Sequence, residues 1–293
     1  MQVPDIRIKV SLIVATRGRT RQLEVLLKNL TKQELQKFEV IIVDQNEDDR
    51  LVAILDPSRW PYLVRHVRTP LQRGLSRARN EGLRYAKGDI IVFPDDDCWY
   101  PAWFLAKGLA LLDQHQCDCV TGRAADETGR SINGRFETDA TWVDRHSVWT
   151  TQIEWAVFFR RNALVAIGGY DEALGVGSQT PWWANEGQDV TLRLLEAGFT
   201  TYYDPELYGF HDELNSSMPD ADMIRKGRSY ARGFGYVLRR HGYGLVSIGY
   251  WILRPATGAL LSVMKRDWTR SRYYGNVVLG RLEGWLKIIL PTS

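Results

Sequence analysis

Cysteine is scarce in this chain of 293 residues, and so are the patterns that normally accompany it. Only Cys98, Cys117 and Cys119 occur, with no Cys-x-x-Cys pair and no later Cys/His cluster at zinc spacing. The odd count argues against a disulfide framework, and the missing spacings argue against a zinc site; together they suit reduced thiols in a cytosolic compartment. The first ten residues, MQVPDIRIKV, contain no apolar signal-peptide core, so we expect no targeting segment there.

Internal repeats and low-complexity tracts are also absent. Apolar residues make up 44% and charged residues 25% of the sequence, which is the ordinary range for a globular protein. We therefore expect a folded chain with one large domain or two unequal ones.

Charge is divided unevenly along the chain, although the net charge is only +3. Between Arg225 and Lys287 there are 13 lysines and arginines against two acidic residues, a balance of +11. The rest of the chain has 25 basic and 33 acidic residues, a balance of −8. A basic segment that is also rich in aromatic residues favours an anionic partner surface.

Short apolar runs alternate with amphipathic segments in the first half of the chain. Residues 10–15 predict a strand buried on both faces. Four leucines between residues 23 and 30 form one helical stripe behind Thr20, a predicted N-cap. Comparable patterns predict strands at residues 40–43, 62–67, 89–93, 154–159 and 200–203, and helices at residues 76–86 and 189–197.

Polar side chains follow three of these strands at the point where each strand ends. Thr16 and Arg17 follow the first strand, Asp44 follows the second, and the aspartates 95–97 follow residues 89–93. Alternating strands and helices imply a doubly wound α/β sheet, which binds ligands outside the carboxyl ends of its strands. The sequence therefore predicts a binding site at this edge.

Three adjacent carboxylates repel one another unless a cation or several hydrogen-bond donors lie among them. Mg²⁺ and Mn²⁺ prefer one or two carboxylates together with phosphate oxygens, so the aspartates 95–97 fit a metal that bridges a diphosphate. The alternative is a solvated acidic loop leading into a helix that begins at Pro101. The position at a strand end favours the metal site.

Two further groups have alternative interpretations. Asp44 is placed to accept a hydrogen bond from a base or ribose, or it is a turn residue of segment 44–48. Arg73, Arg77 and Arg79, near Gly74, either donate to a diphosphate or form the exposed face of a helix.

Five segments then occur in a characteristic order: residues 10–17, 40–44, 74–82 (GLSRARNEG), 88–97 (GDIIVFPDDD) and 168–172 (GGYDE). This succession, which lies within residues 8–212, resembles family 2 glycosyltransferases of the GT-A fold. The resemblance implies a Rossmann-like mixed sheet flanked by helices. It also implies inverting transfer of a sugar from a nucleoside-diphosphate sugar, with a UDP-sugar favoured.

The resemblance implies roles for individual residues. Asp44 is expected near the base, Asp95 near the ribose and Asp97 on the metal, while Asp96 contacts the nucleotide sugar or only faces solvent. After a loop at residues 204–206 comes His211, where the family often has a histidine that approaches the metal; the alternative is a structural histidine. The expected metal ligands are Asp97, Asp95 and His211. The expected nucleotide-sugar contacts are Thr16, Arg17, Asp44, Arg73, Gly74, Arg79, Asp95 and Asp96.

The family usually has an acid-Asp pair at the start of a late helix, and its aspartate is the general base. Here Gln188 stands where the first acid is common, so we expect Asp189 to be the base and Glu186 the alternative. Residues 175–188 predict a long loop. Trp182 and Trp183 in it are expected to stack on an acceptor sugar, or to pack the loop down.

The basic tail contains a weakly charged stretch, residues 242–264, of nearly membrane-spanning length. Arg254 and Pro255 interrupt it, and each half is too short to span. Flanking arginines, lysines and aromatics favour helices that lie in the headgroup layer of an anionic membrane. The alternative is packing onto the body or a second subunit, as in a homodimer; no module for reading nucleic acid accompanies the charge.

We therefore expect a GT-A catalytic domain at residues 1–215 and a basic helical extension at 216–293. Within the first, residues 1–123 would bind the nucleotide sugar and 124–215 the acceptor, a glycan or polyprenyl-linked molecule. The expected protein is a Mn²⁺- or Mg²⁺-dependent transferase at the cytosolic membrane face, making cell-surface polysaccharide or glycoconjugate. The alternatives are a non-catalytic sugar-nucleotide-binding or scaffold protein, and a pyrophosphorylase, whose Gly- and Lys-containing loop residues 16–19 do not match.

Overall fold

The computed structural model describes residues 8–213 and 219–290, and these divide into two compact units. The first unit comprises the described residues up to Arg73, Arg77–Tyr170 and Val190–Glu213. The second comprises Gly74–Ser76, Asp171–Asp189 and the described residues from 219 onwards. The predicted domain boundary between residues 215 and 216 lies outside the described residues.

The first unit is built on a mixed sheet. Its strands are β1 Val10–Thr16, β2 Phe38–Asp44, β3 Leu63–Arg68, β4 Ile90–Val92, β5 Cys119–Ala125, β6 Thr141–Trp142, β7 Val157–Arg160 and β8 Thr201–Phe210. Within the described ranges these eight strands have the order β3-β2-β1-β4-β7-β5-β8-β6. The first four are parallel neighbours, and β7 is antiparallel to both β4 and β5. The predicted mixed sheet is confirmed.

Helices flank this sheet and form the C-terminal segment. They are α1 Arg21–Leu30, α2 Leu75–Leu83, α3 Phe104–Gln114, α4 Arg161–Ala166, α5 Glu186–Glu196, α6 Ala221–Arg240, α7 Leu245–Met264 and α8 Trp268–Leu286. The leucine stripe of α1 is completely buried, as its spacing predicts. Thr20 does precede α1, but its side chain makes no capping hydrogen bond.

Strand β1 is buried on both faces because neighbouring residues of a strand point to opposite sides of the sheet. Leu12 and Val14 belong to the core that includes the α1 leucines, whereas Ile13 belongs to the core on the other face. A methyl group added to Gly82 of α2 would lie only 2.2 Å from Cγ2 of Ile13, so α2 approaches the sheet closely there. The double burial is typical of an interior strand, and β1 lies between β2 and β4.

Several predicted boundaries are wrong by a few residues or a turn. The helix expected from Pro101 begins at Phe104, because the Pro101 carbonyl first accepts a turn hydrogen bond from the Phe104 amide. Helix α5 begins at Glu186, one turn before the expected residue 189, directly after Asn185 at φ 67°. Helix α2 gives way after Leu83 to i→i+3 turns.

Strands differ from their predictions for similar local reasons. The strand predicted at residues 62–67 is Leu63–Arg68, and the segment 154–159 begins with a 3₁₀ turn before β7. The loop expected at residues 204–206 is part of β8: the strand bulges there, with residues 204–207 opposite only Gly122 of β5. The bulge lets β8 resume pairing and run to Phe210, next to His211.

The second unit contains α6, α7 and α8, and α6 packs against α8 through glycines. A methyl group on Gly284 would lie 1.9 Å from the Arg232 carbonyl oxygen, and one on Gly280 would lie 2.4 Å from that of Arg228. Between these glycines the fully buried Glu283 accepts hydrogen bonds from the guanidinium groups of Arg228 and Arg232. Burial opposes ionisation, but these donors outweigh it and lower the pKa of Glu283 to about 2.

Helix α7 continues through Pro255, so the predicted interruption at Arg254 and Pro255 is wrong. Proline lacks an amide hydrogen and leaves the carbonyl four residues earlier without its helical donor. That carbonyl belongs to Trp251, and it accepts a hydrogen bond from the Arg281 guanidinium of α8 instead. Among residues 8–213 and 219–290, no helix combines the length and apolarity needed to cross a bilayer.

The close contact between α6 and α8 predicts opposite effects of two glycine substitutions. Gly284→Ala should lower the free energy of unfolding by about 1–3 kcal/mol, because the new methyl group meets backbone atoms that must move. Gly275→Ala on the same helix should raise it by about 0.5–1 kcal/mol, because its methyl group meets nothing within 4 Å and alanine favours helix. Urea unfolding followed by circular dichroism measures both; shifts in the same direction would contradict the described packing.

Candidate active site

The carboxyl ends of β1 and β2 lie side by side, with Thr16 opposite Asp44. Oδ1 of Asp44 accepts hydrogen bonds from the backbone and side-chain amides of Asn46, both at 2.8 Å. His66 Nε2 lies 2.8 Å from Oδ2. The buried Asp44 therefore stabilises the turn after β2, the alternative that the sequence left open. Its contact with a base or ribose stays a prediction.

Asp95 follows β4 and pairs with a buried arginine. Arg79 is only 2% exposed, and its Nη2 lies 3.2 Å from Asp95 Oδ1 while its Nη1 donates to Glu154 Oε1 at 2.5 Å. The alternative that Arg79 belongs to an exposed helix face is wrong, because these two carboxylates pair with it in the interior. Its contact with a nucleotide sugar stays a prediction. Burial raises the pKa of Asp95 to about 6, and the charges of Glu154 and Asp97 add to this, while Arg79 opposes it.

Asp96 does not face solvent, so that alternative is wrong as well, and its contact with a nucleotide sugar stays a prediction. Its side chain is buried, and its Oδ2 accepts a hydrogen bond from the Thr16 hydroxyl at 2.6 Å. Its Oδ1 lies 2.5 Å from Nη1 of Arg19. Burial raises the pKa of Asp96, and the bonds from Thr16 and Arg19 moderate the rise. Asp96 thus connects the ends of β1 and β4.

Asp97 lies next to two basic side chains, Arg19 and His211. Arg19 Nη1 lies 2.5 Å from its Oδ2, and His211 Nε2 lies 3.4 Å from its Oδ1. Burial alone would raise the pKa of Asp97, but the His211 hydrogen bond and the Arg19 charge lower it. The same bond with Asp97 raises the pKa of His211 to about 8. Adjacent carboxyls therefore have opposite pKa shifts, a common property of functional sites.

The predicted metal ligands are only partly brought together. In the part of the chain that the structure describes, no three His, Cys, Asp or Glu side chains group closely enough to hold a metal ion. Asp97 and His211 are neighbours, whereas Asp95 is directed to Arg79. One carboxylate and one imidazole still suit Mn²⁺ when phosphate oxygens supply the other ligands. The donor set fits a metal that arrives with a diphosphate.

The other residues that are predicted to contact the nucleotide sugar lie in two loops. Arg17 is exposed in the loop after β1. Arg73 is exposed too, with Nη2 3.5 Å from Oε1 of Glu47. Gly74 has φ 120°, which side chains rarely adopt, so this turn before α2 requires glycine. The contact of these residues with a nucleotide sugar stays a prediction.

In the second unit, the predicted base Asp189 lies in the first turn of α5 and is completely buried. Two nitrogens from the end of α6 meet its Oδ1: Nε of Arg240 at 3.1 Å and Nε2 of His241 at 3.0 Å. Glu186, the alternative base, is also buried, and Gly175 lies against its carboxyl group. The N-terminus of α5 favours negative charge on both side chains.

The two tryptophans of the long loop have different surroundings. Trp182 stacks on Tyr236 of α6, with ring centroids 4.8 Å apart and planes 12° apart. Trp183 is 38% exposed, and its ring N–H donates to the Thr180 carbonyl at 2.8 Å. Trp182 therefore packs the loop down, which the sequence offered as the alternative. Trp183 presents an exposed ring, and its contact with an acceptor stays a prediction.

Sequence reasoning missed several residues of these clusters. The local signal for Arg19 was its place in the loop after β1, a strand end already identified as a ligand-binding edge. Glu154, Arg240 and His241 give no such signal, because their partners Arg79 and Asp189 are far away in sequence. The missed residues are Arg19, His66, Glu154, Arg240 and His241.

The buried position of Arg79 predicts a large effect on stability. Arg79→Met should lower the free energy of unfolding by about 3–5 kcal/mol, because it leaves Glu154 and Asp95 without their buried cation. Arg84→Met is the matched control on the same segment, where the side chain is 77% exposed, and it should change stability by less than about 0.5 kcal/mol. Chemical denaturation measures both; equal small effects would disprove the buried pairing.

Known proteins are similar to this chain in sequence or in fold. A family model described as glycosyl transferase family 2 matches residues 11–161. An uncharacterized glycosyltransferase of Haemophilus influenzae is 28% identical over 237 residues, 76% of each chain. Mannosyltransferase PcManGT from Pyrobaculum calidifontis, in complex with GDP-Man and Mn²⁺, is 17% identical with a TM-score of 0.62, covering 97% of this chain and 90% of that one. Staphylococcus aureus TarS 1-349 with UDP-GlcNAc is 18% identical with a TM-score of 0.56, covering 96% and 93%. With half its length matched by the family model and a GT-A fold, the chain belongs to glycosyltransferase family 2.

Proposed function

We propose that this glycosyltransferase transfers a sugar, with inversion, from a nucleoside-diphosphate sugar to a glycan or polyprenyl-linked acceptor. The observation that carries the proposal is the cluster after β4, where Asp97 lies between Arg19 and His211. The Arg19 guanidinium provides donors for phosphate oxygens, while the Asp97 carboxylate and the neutral imidazole of His211 provide ligands for a divalent cation. A UDP-sugar is the favoured donor, and Asp44 and Asp95 are the proposed base and ribose contacts.

Relatives support this choice of donor class. Among structures of the same fold, TarS is described with UDP-GlcNAc and PcManGT with GDP-Man and Mn²⁺. We propose that Asp97 and His211 hold Mn²⁺ or Mg²⁺ together with the diphosphate. When bound, the cation would offset the negative charge that develops on the leaving diphosphate. Arg19 would add a second positive group on the same side of the cluster.

The proposed base is Asp189, with Glu186 as the alternative. The acceptor hydroxyl oxygen attacks the anomeric carbon from the face opposite the diphosphate, the carbon–oxygen bond to the diphosphate breaks, and the hydroxyl proton passes to the carboxylate. Attack from the opposite face gives inversion. Its place in the first turn of α5 favours the charged form of Asp189, which is the form that can accept this proton.

The proposed location is the cytosolic face of a membrane, and α7 supports it. One side of α7 exposes large apolar residues at helical spacing, and a basic segment follows it. Lipid headgroups of negative charge suit such a surface, since apolar side chains enter the interface while cations meet the headgroups. We define the α7 face as Leu245, Val246, Tyr250, Leu253, Leu260, Leu261 and Met264.

Two other functions remain as alternatives. Gln188, in place of the common acid, favours a non-catalytic protein that binds sugar nucleotides or acts as a scaffold. A sugar-nucleotide pyrophosphorylase would need a Gly-rich, Lys-containing loop after β1, and the loop that starts at Arg17 has one glycine and no lysine before Thr20. Turnover therefore decides between the first alternative and the transferase.

Donor binding and turnover test the reaction. UDP at about 100 times its Kd, with Mn²⁺, should stabilise the protein by about 2.7 kcal/mol, and Asp97→Asn should abolish the Mn²⁺-dependent part. Asp189→Asn should lower turnover of the donor about 10²- to 10⁴-fold without weakening UDP binding. Asp113→Asn, an exposed acid on α3, is the control.

Three results would count against the proposal. No stabilisation by any uridine, guanosine or thymidine diphosphate would exclude this donor class. Binding without turnover of any donor in the parent would favour the scaffold. Turnover that is the same in Asp189→Asn would remove Asp189 as the base and leave Glu186.

Vesicle sedimentation tests the membrane surface. The protein should bind phosphatidylglycerol vesicles more tightly than phosphatidylcholine vesicles, and added salt should weaken binding. Leu253→Ser combined with Leu260→Ser should weaken binding at least about tenfold, because two leucines no longer enter the interface. Leu71→Ser, at a 91% exposed leucine outside the tail, is the control. Equal binding of parent and double variant would disprove the surface, and a dimer lost only in the double variant would assign the α7 face to a second copy.

A further inference from the structure

The C-terminal end of α6 meets the proposed base directly. Arg240 is the last residue of α6 and His241 its C-cap, and both place a nitrogen about 3 Å from Oδ1 of Asp189. The carboxylate has no exposed surface, and the His241 side chain is only 3% exposed. A carboxylate enclosed in this way keeps one orientation, since leaving its donors would cost their hydrogen bonds.

Arg240 also contacts Asp171, which precedes the long loop. Its Nη1 donates to Oδ2 of Asp171 while its Nε meets Asp189. Asp171 and Asp189 are the first and last residues of the segment Asp171–Asp189 in the second unit. One guanidinium thus joins both ends of this segment, which contains Trp183 with its exposed ring.

Two more residues on the same face of α6 hold the middle of the segment. Tyr236, four residues before Arg240, stacks on Trp182. A methyl group on Gly233 would lie 2.4 Å from the Ala184 carbonyl oxygen, so the segment's backbone touches α6 there. The face formed by Gly233, Tyr236 and Arg240 therefore supports the segment from end to end.

We propose that Arg240 and His241 are positioning residues, which hold the Asp189 carboxylate ionised and in one orientation and keep the segment Asp171–Asp189 in place. This inference rests on the proposed function, in which Asp189 is the base. Donors on a carboxylate favour its charged form. The helix ends act in the same direction, because the last turn of α6 favours positive charge and the first turn of α5 favours negative charge.

The charged groups around Asp189 come from three places. Arg240 and His241 belong to the end of α6, Glu186 lies in the same first turn of α5, and Asp171 shares Arg240. Loss of Arg240 leaves the carboxyl groups of Asp171, Glu186 and Asp189 with one cation fewer. The acidic limb of the kcat profile should then move to higher pH, since Asp189 would gain its proton more readily.

His241 acts on Asp189 through an N–H group. Two variants, one that retains an N–H group and one that lacks it, therefore distinguish a hydrogen-bonding role from a packing role. Gln retains an N–H donor at nearly the position of Nε2, whereas Leu has none. We expect His241→Leu to lower kcat roughly 10- to 100-fold, the loss expected for one hydrogen bond to a charged group, with the donor KM unchanged. His241→Gln should retain most of the parent kcat.

Arg239→Gln is the matched control. Arg239 precedes Arg240, is exposed and lies over the Trp285 ring instead of near Asp189. It should leave kcat and its pH profile as in the parent, while Arg240→Gln lowers kcat and moves the acidic limb upward. Equal losses of kcat in His241→Gln and His241→Leu, or an unmoved limb in Arg240→Gln, would overturn the positioning role.

Hydrogen exchange measured by mass spectrometry tests the same contacts without turnover. Arg240→Gln and His241→Leu should speed exchange in the peptides that cover Asp171–Asp189, and Arg239→Gln should not. A parent without turnover for any donor would defeat the proposed function. Faster exchange in that case would still support the contacts of α6 with this segment, and unchanged exchange in both variants would overturn them.

Discussion

Negative charge at the carboxyl end of β4 is the constraint on which the first unit depends. Three successive aspartates and the nearby Glu154 need cations, and these come from separate parts of the chain: Arg19 after β1, Arg79 on α2 and His211 after β8. Balancing the charge therefore joins several segments at one edge of the sheet. Neighbouring carboxyls differ in pKa, because each has a different degree of burial and a different share of the cations.

Local sequence patterns were sufficient to predict strand β1 and helix α1. The apolar run of β1 and the leucine stripe of α1 have one stable arrangement, since both need burial on the faces that their periods define. Predicted boundaries were wrong where a tertiary contact or a positive φ angle determined them. Examples are Asn185 before α5 and the bulge of β8 opposite Gly122. A sequence pattern contains no record of which carbonyl meets which distant donor.

The candidate site was predictable for residues at strand ends and not for their partners. Asp44 and the aspartates 95–97 could be located because strand ends bind ligands in α/β sheets. The partners of several tail arginines were not predictable for the same reason, because they lie in other segments of the chain. Arg228 and Arg232 form ion pairs with Glu283, and Arg240 forms ion pairs with Asp171 and Asp189. Arg281 donates a hydrogen bond to the Trp251 carbonyl. Part of the basic charge of the tail is therefore paired inside the second unit.

The hydrogen bond from Arg281 to the Trp251 carbonyl makes α7 depend on a residue that is synthesised later. Until α8 exists, the carbonyl left by Pro255 can bond only to water, and proline's ring favours a bend at that turn. During translation, this hydrogen bond therefore cannot form before Arg281, 26 residues after Pro255, has been added.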